Sequence, residues 1–254
     1  MRAPELISGR HGPIAYRCSH GLREPPNEDA LYLNTGADIF AVVDGMGGYE
    51  RGEDAARILA EACQVMAQKL HWLTETNAAA LQATAHQQMK GASLGEGGAC
   101  YAAFQLVGNQ LHVAHAGDVK VVVLDERGVL LFKTQDHRLG IYIANAVTGI
   151  SPGEVYYQQQ TIRNGYRIIA ASDGLWNILS VQEAVNVSLG KEPLAALRAL
   201  ERKALDLQGE CSAEDNITIL LYDISLAPPA REKQQVYKIL RHGPRARKPV
   251  KEAA

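Results

Sequence analysis

The sequence predicts an α+β fold, a four-layer αββα sandwich in which two antiparallel β-sheets are flanked by helix pairs. Three observations point to it. Extended and helical stretches come in the order strands, two helices, strands, two helices, strand, rather than as alternating βαβ units. Hydrophobic content of 46% and charged content of 21% are those of a globular chain with a real core. A length of 254 residues suits one large domain or two small ones.

Residues 1–30 are rich in Gly, Pro and Arg. Pro25-Pro26 forbids a helix there, so Glu28 and Asp29 stand at the mouth of a short strand, Ala30 to Leu33. Ile39-Phe40-Ala41-Val42-Val43 is apolar and β-branched, stops at Asp44, and meets the Gly-rich turn Gly45-Met46-Gly47-Gly48, so it reads as a buried strand. From about Glu53, Ile58, Leu59, Ala62, Val65 and Met66 recur at helical spacing, and a second helix covers about Asn77 to Lys90 before Gly91. Residues 98–133 read as all-β: two apolar runs meet at Gly108-Asn109, a third covers Val119 to Leu124, and Glu126-Arg127-Gly128 turns it into a fourth. Between His137 and Pro152 the pattern is indistinct, a loop with room for a short helix. Val155 to Ile162 and Tyr166 to Ala171 flank Asn164-Gly165, a strong hairpin signal. Helices at about 181–189 and 192–207 and a last strand, Ile217 to Ile224, complete a domain over residues 1–224. Residues 225–254 form a basic, flexible tail, with eight Lys and Arg against two Glu, a balance of +6 that leaves −8 on the rest of the chain. Such a tail suits an acidic partner, or the acidic body itself.

Cys18, Cys63, Cys100 and Cys211 are scattered and form no C-x-x-C pair, which argues against a zinc site and a disulfide framework and for a reducing compartment. The N-terminus lacks the apolar core of a secretory signal, and no apolar run approaches the ~18 residues of a membrane span. The expectation is a cytoplasmic, soluble monomer with no membrane partner and no nucleic-acid partner.

Carboxylates recur beside the apolar β runs. Asp29 precedes its run, Asp44 and Asp173 follow theirs, Asp215 stands just before Ile217, and Asp118 lies between two runs. One such Asp is as readily a turn residue or a helix cap, and Asp38, Asp54 and Asp125 are read as ordinary turn or surface residues. The recurrence is what matters. Carboxylates brought within a few ångströms at reduced dielectric repel one another and require protons or cations. Their oxygens suit hard ions such as Mg²⁺ or Mn²⁺, whereas zinc would take His and Cys. Ions held between carboxylates can polarise a phosphoryl oxygen and deliver a bound hydroxide for in-line attack.

Asn27-Glu28-Asp29, Asp44-Gly45-Met46-Gly47-Gly48, Gly117-Asp118, Ser172-Asp173-Gly174 and Asp215-Asn216-Ile217-Thr218 resemble, in order and spacing, the motifs of metal-dependent protein serine/threonine phosphatases of type 2C, the PPM family. The resemblance covers residues 12–224, and Met46 matches the bacterial branch. It implies hydrolysis of phosphoserine and phosphothreonine in proteins by a metal-bound hydroxide, without a phosphoenzyme. It further implies a phosphorylated protein substrate, a Ser/Thr kinase or its targets, in bacterial signalling. Two Mn²⁺ or Mg²⁺ ions are implied, with a weak third. Asp44 would bridge the two ions with the Gly45 carbonyl beside it, Asp173 and Asp215 would hold one of them, and Glu28 and Asp29 would act through bound water. Asp118 and Asp173 would carry the third ion. Arg23 is the candidate for the substrate phosphate, with Arg17 as the alternative and His20 close by.

The sequence departs from the family at several points. Met46 replaces a His of many eukaryotic members, so the general acid has no obvious owner. Gly117-Asp118-Val119-Lys120 stands where the family has Gly-Asp-Ser-Arg, Gly97-Gly98-Ala99 where it has Gly-Thr-Thr, and Asn177 where many members are acidic. Asp136 and Asp173 leave little room for the family's flap. The Gly97-Gly98-Ala99 segment, Val119-Lys120 and the short flap motivate the alternative reading, a catalytically weak module that binds phosphoprotein or a regulatory partner. His137, His112 and His115 are read as structural, and Trp176 as a core anchor.

Overall fold

Side-chain parity along the apolar runs builds the layers. On the run through Asp44, Ile39, Ala41 and Val43 face one way and pack under helices, while Phe40 and Val42 face the opposite sheet. The computed structural model describes residues 3–24, 26–46, 51–70, 73–211, 213–226 and 237–240. Strands β1 (Glu5–Gly9), β2 (Gly12–Ser19), β3 (Asp29–Asn34) and β4 (Ile39–Gly45) precede helices α1 (Gly52–Leu70) and α2 (Glu75–Gly91). Then come β5 (Gly98–Val107), β6 (Gln110–Ala116), β7 (Lys120–Leu124), β8 (Leu130–Lys133) and the short β9 (Arg138–Leu139), β10 (Tyr142–Ile143) and β11 (Val147–Thr148). β12 (Tyr156–Thr161) and β13 (Arg167–Ala171) lead into α3 (Asp173–Trp176), α4 (Val181–Ser188) and α5 (Pro193–Cys211), followed by β14 (Ile217–Asp223) and β15 (Tyr237–Leu240).

One sheet runs β1-β2-β14-β13-β7-β8 and the other β12-β6-β5-β4-β3-β15, with β11 added against β5; the pairings are antiparallel. The same parity recurs on β3, where Ala30 and Tyr32 face helices and Leu31 and Leu33 face the other sheet. On β14, Ile217, Ile219 and Leu221 pack outward under α5, and Leu220 and Tyr222 inward. Both faces of these central strands are covered, so the runs are almost wholly apolar, with Thr218 the buried polar residue within β14. Between the sheets, Phe40 lies 5.3 Å from Phe104 and edge-on to Tyr222 at 5.5 Å, ring-centre distances that suit aromatic pairs. Local chemistry sets the helix ends. The Thr74 hydroxyl accepts from the Asn77 N–H, Ser180 and Glu183 form a capping box, and Pro193 opens α5. The predicted αββα sandwich is the observed one.

Several expectations change. Asn164-Gly165 does turn the chain, with Gly165 at φ +81°, but β12 and β13 do not pair with each other. β12 is the polar edge of one sheet and β13 the buried centre of the other, so the turn is a crossover between layers. Residues 137–152 hold three two-residue strands and no helix. The N-terminal segment, noted only as rich in Gly, Pro and Arg, forms the β1–β2 hairpin, and β2 is buried beside β14. Asp38, read as an ordinary turn residue, sits in its turn at φ +55° yet is fully buried, accepting a hydrogen bond from the Tyr222 hydroxyl at 3.0 Å. Part of the expected flexible tail is ordered: Tyr237–Leu240 extends the β3 edge, and Lys238 reaches Glu5 at 2.8 Å. The basic run Arg245–Lys251, like Gly47 and Gly48 of the glycine-rich turn, lies outside the described residues.

Candidate active site

The parity that aims Phe40 and Val42 between the sheets also aims Asp44 there, at the strand's end; on β3 it does the same for Asp29, in step with Leu31 and Leu33. The β3–β4 register sets Asp29 directly opposite Asp44. Two carboxylates paired across strands repel, so this arrangement is costly unless protons or cations intervene. The other sheet supplies Asp173, immediately beyond β13 and Ser172, and Asp215, just before β14. Asp118 follows Gly117, whose φ of +95° disfavours any side chain; a Cβ there would also collide with Cys100. Asp44, Gly45, Asp118, Asp173, Asp215 and Arg23 all line one cleft of about 460 Å³, together with Met46, Cys100, Arg138 and Ile141–Ile143.

Hydrogen bonds hold this seam between the sheets. The Ser172 hydroxyl donates to Asp29 at 2.7 Å and accepts the Thr218 N–H at 3.0 Å. Asn216 ties loops from both sheets: its Oδ1 accepts the Glu28 N–H at 2.8 Å and its Nδ2 donates to the His20 carbonyl at 3.1 Å. Gly174 packs against the Asn216 carbonyl so closely that a Cβ would overlap it. The Gly45 N–H donates to the Glu28 carbonyl at 2.9 Å, fixing the turn after Asp44.

Arg23 lies 2.6 Å from Glu28 and 3.4 Å from Asp215, and its guanidinium remains partly exposed to the cleft. Arg17 is different: it is buried and paired with Glu201 at 2.7 Å, away from the cleft, which leaves Arg23 as the arginine of the pair that faces it. His20 does not line the cleft; the turn it belongs to uses its carbonyl, which accepts from Arg23 and Asn216. His137 is structural, as expected: its Nδ1 accepts the Gly117 N–H at 3.1 Å and its ring stacks on His115. Sequence reasoning missed Arg138. Its Nε donates to Asp118 at 2.6 Å, Nη2 also meets Asp118 and lies 3.0 Å from Asp173, and Nη1 donates to Asn177 at 3.1 Å. Nothing local to Arg138 in the sequence announces this; the only hint was an acidic pocket in need of a counter-charge.

The pocket is over-supplied with negative charge. Burial, and then the charges of Asp215 and Asp173, push the Asp29 carboxyl up to about 8 against the opposing Ser172 and Thr218 hydrogen bonds. Asp44 is raised well above the ordinary carboxylate range by burial and by Asp173, Asp29 and Asp118. Asp173 is pushed up to about 6 by burial, Asp215 and Asp118. Burial raises Glu28 even against the attraction of Arg23. Arg138 moves upward, since Asp118 and Asp173 outweigh the burial that opposes its charge. The donor set is all oxygen, the chemistry of a hard divalent ion. Among the described residues no three acidic, His or Cys groups stand close enough to grip one ion as placed. That does not conflict with the donor chemistry, because small hard ions keep several waters and need only one or two carboxylates each.

Comparison with known proteins agrees with this geometry. Residues 18–206 match the sequence profile of the family described as protein phosphatase 2C. The serine/threonine protein phosphatase PstP of Mycobacterium tuberculosis is 27% identical over 238 residues, covering 83% of this chain and 44% of PstP, so the chain spans less than half of that relative's length. Among solved structures, the catalytic domain of PstP in complex with two manganese ions superposes with a TM-score of 0.71 at 24% identity, over 87% of this chain and 99% of that one. PppA, described as a key regulatory component of the T6SS in Pseudomonas aeruginosa, gives a TM-score of 0.71 at 22% identity, over 87% of this chain and all of that one.

Proposed function

This chain belongs to the protein phosphatase 2C family, and on that premise we propose that it removes phosphate from phosphoserine and phosphothreonine in proteins, with two Mn²⁺ or Mg²⁺ ions as cofactors. The observation that carries the reading is the placing of Asp29 opposite Asp44 at the seam, with Asp173 and Asp215 on the same cleft. When bound, such ions activate water and polarise the phosphoryl group. Asp44 would hold both ions and the Gly45 carbonyl one of them; Asp173 and Asp215 would hold the ion on their own sheet. Glu28 and Asp29 would orient water behind Asp44. Arg23, which faces the cleft and is ion-paired with Glu28 and Asp215, would bind the phosphate oxygens. Ile141–Ile143, largely exposed to solvent at Ile141 and Tyr142, line one side of the cleft.

The wider setting follows the same reading: a cytoplasmic, monomeric signalling enzyme that opposes a Ser/Thr kinase. Support comes from four unpaired cysteines, which suit a reducing compartment, and from the absence, among the described residues, of any helix long and apolar enough to cross a membrane. Turnover of p-nitrophenyl phosphate and of a phosphothreonine peptide, with and without Mn²⁺, tests the activity. Metal-stimulated turnover that Asp44→Asn abolishes is expected. Metal and phosphopeptide binding without turnover would replace the enzyme reading with that of a binding module.

A further inference from the structure

The cleft holds one positive group that the proposed chemistry does not use. Arg138 stands at the start of β9 on the short β9–β10 hairpin. Its guanidinium donates to Asp118, to Asp173 and to the side-chain amide oxygen of Asn177. Asp118 is only 5% exposed, so its charge cannot rely on solvent and needs a partner. Asn177, also bonded to Asp173 at 2.8 Å, completes a neutral rim. A planar fork spanning two carboxylates is a stronger and more specific match than a single ammonium. Asp29 and Asp44, facing each other on the other sheet, receive none of the contacts that Arg138 makes.

We propose that Arg138 acts as a built-in cation, occupying the seat between Asp118 and Asp173 that a further divalent ion would otherwise take. This rests on reading the cleft as an ion site and adds to it: the chain carries its outer positive charge covalently and binds one ion fewer than its carboxylates would allow. A guanidinium and a divalent ion cannot share that seat, because Arg138 fills the space beside Oδ2 of Asp118 and Oδ2 of Asp173 and two cations there would repel.

Counting ions tests this without measuring turnover. Equilibrium dialysis of the full chain against Mn²⁺, followed by elemental analysis, should give one more bound ion per chain for Arg138→Met than for the wild type. Adding Asp118→Asn to Arg138→Met should remove that gain. Equal, non-zero counts in wild type and Arg138→Met would overturn the proposal and leave the ion reading of the cleft intact. No bound Mn²⁺ in either chain would overturn both. If Arg138→Met does not fold, Arg138→Lys carries the test. A single ammonium cannot span both carboxylates, so the extra ion should enter at a Mn²⁺ concentration at least ~10-fold lower than in the wild type. An unchanged titration would overturn the proposal.

Discussion

Replacing Asp29 with Asn should flatten the pH dependence of stability in the metal-free protein. Asp29 is 3% exposed, faces Asp44 across β3 and β4, and has its carboxyl pushed up to about 8, by burial first and then by Asp215 and Asp173. The folded chain therefore holds this proton more tightly than the unfolded chain, whose carboxyl titrates near 3.8. A group raised in this way stabilises the fold fully below the unfolded value and loses that contribution as pH climbs to the folded value. Across this window the native state binds about one proton more, so stability falls by up to ~1.4 kcal/mol per pH unit, or ~3 kcal/mol between about pH 5 and pH 7. Asn keeps the shape, can accept the Ser172 hydroxyl, and has nothing to titrate. Urea unfolding in the presence of a chelator, repeated between about pH 5 and pH 8, reads the slope directly. The wild-type slope should exceed the variant's by ~1 kcal/mol per pH unit. Parallel curves would mean that Asp29 is already ionised in the folded chain, and the claim that this pocket lacks positive charge would fail. Mn²⁺ added to the wild type should flatten its curve in the same way, since an ion takes the proton's place.

Arg23→Ala should raise KM for a phosphopeptide ~10- to 100-fold with a smaller fall in kcat, because charge-assisted bonds to phosphate are lost on binding; an unchanged KM would remove Arg23 from the substrate. Phe104→Ala, opening a hole beside Phe40 between the sheets, should cost ~3–5 kcal/mol in thermal or urea unfolding. Gly117→Ala forces a side chain into φ +95° and into Cys100; a loss of ~2 kcal/mol or more and weaker Mn²⁺ binding are expected. Deleting residues 237–254 removes β15 and the partly exposed Lys238–Glu5 pair. Stability should change by less than ~1 kcal/mol, while light scattering should show concentration-dependent association through the uncovered β3 edge.

Much of this was legible in the chain because burial on two faces leaves a plain mark. The Ile39–Val43 run, the Gly108-Asn109 hairpin and the two helix pairs each announce themselves through composition, period and turn chemistry. The carboxylates were found by a simple rule: a charged residue ending an apolar strand needs a reason. What stayed hidden is non-local. Asn164-Gly165 carries the chemistry of a hairpin turn, yet the polar face of β12 and the apolar faces of β13 belong to different layers, and no turn residue records that. β2 is short of uninterrupted apolar character and is buried by tertiary partners, pairing with β1 and β14 and packing into both cores. Arg138 lies in a stretch without periodicity, and its partners Asp118 and Asp173 are brought to it by the tertiary fold alone. Arg17 and Arg23 looked alike in sequence until Glu201 on α5 claimed one of them.

The Ser172–Asp29 hydrogen bond joins the last residue before α3 in one sheet to the first residue of β3 in the other. The cleft's charges are divided in the same way, so neither sheet holds a working half. A slide of one layer over the other by the width of a single hydrogen bond would separate the oxygens that must cooperate. Grafting one sheet onto a relative's other sheet would thus demand agreement in offset as well as in motif. A divalent ion lodged here would act as a rivet through both plates, making resistance to shear and readiness for chemistry one mechanical property.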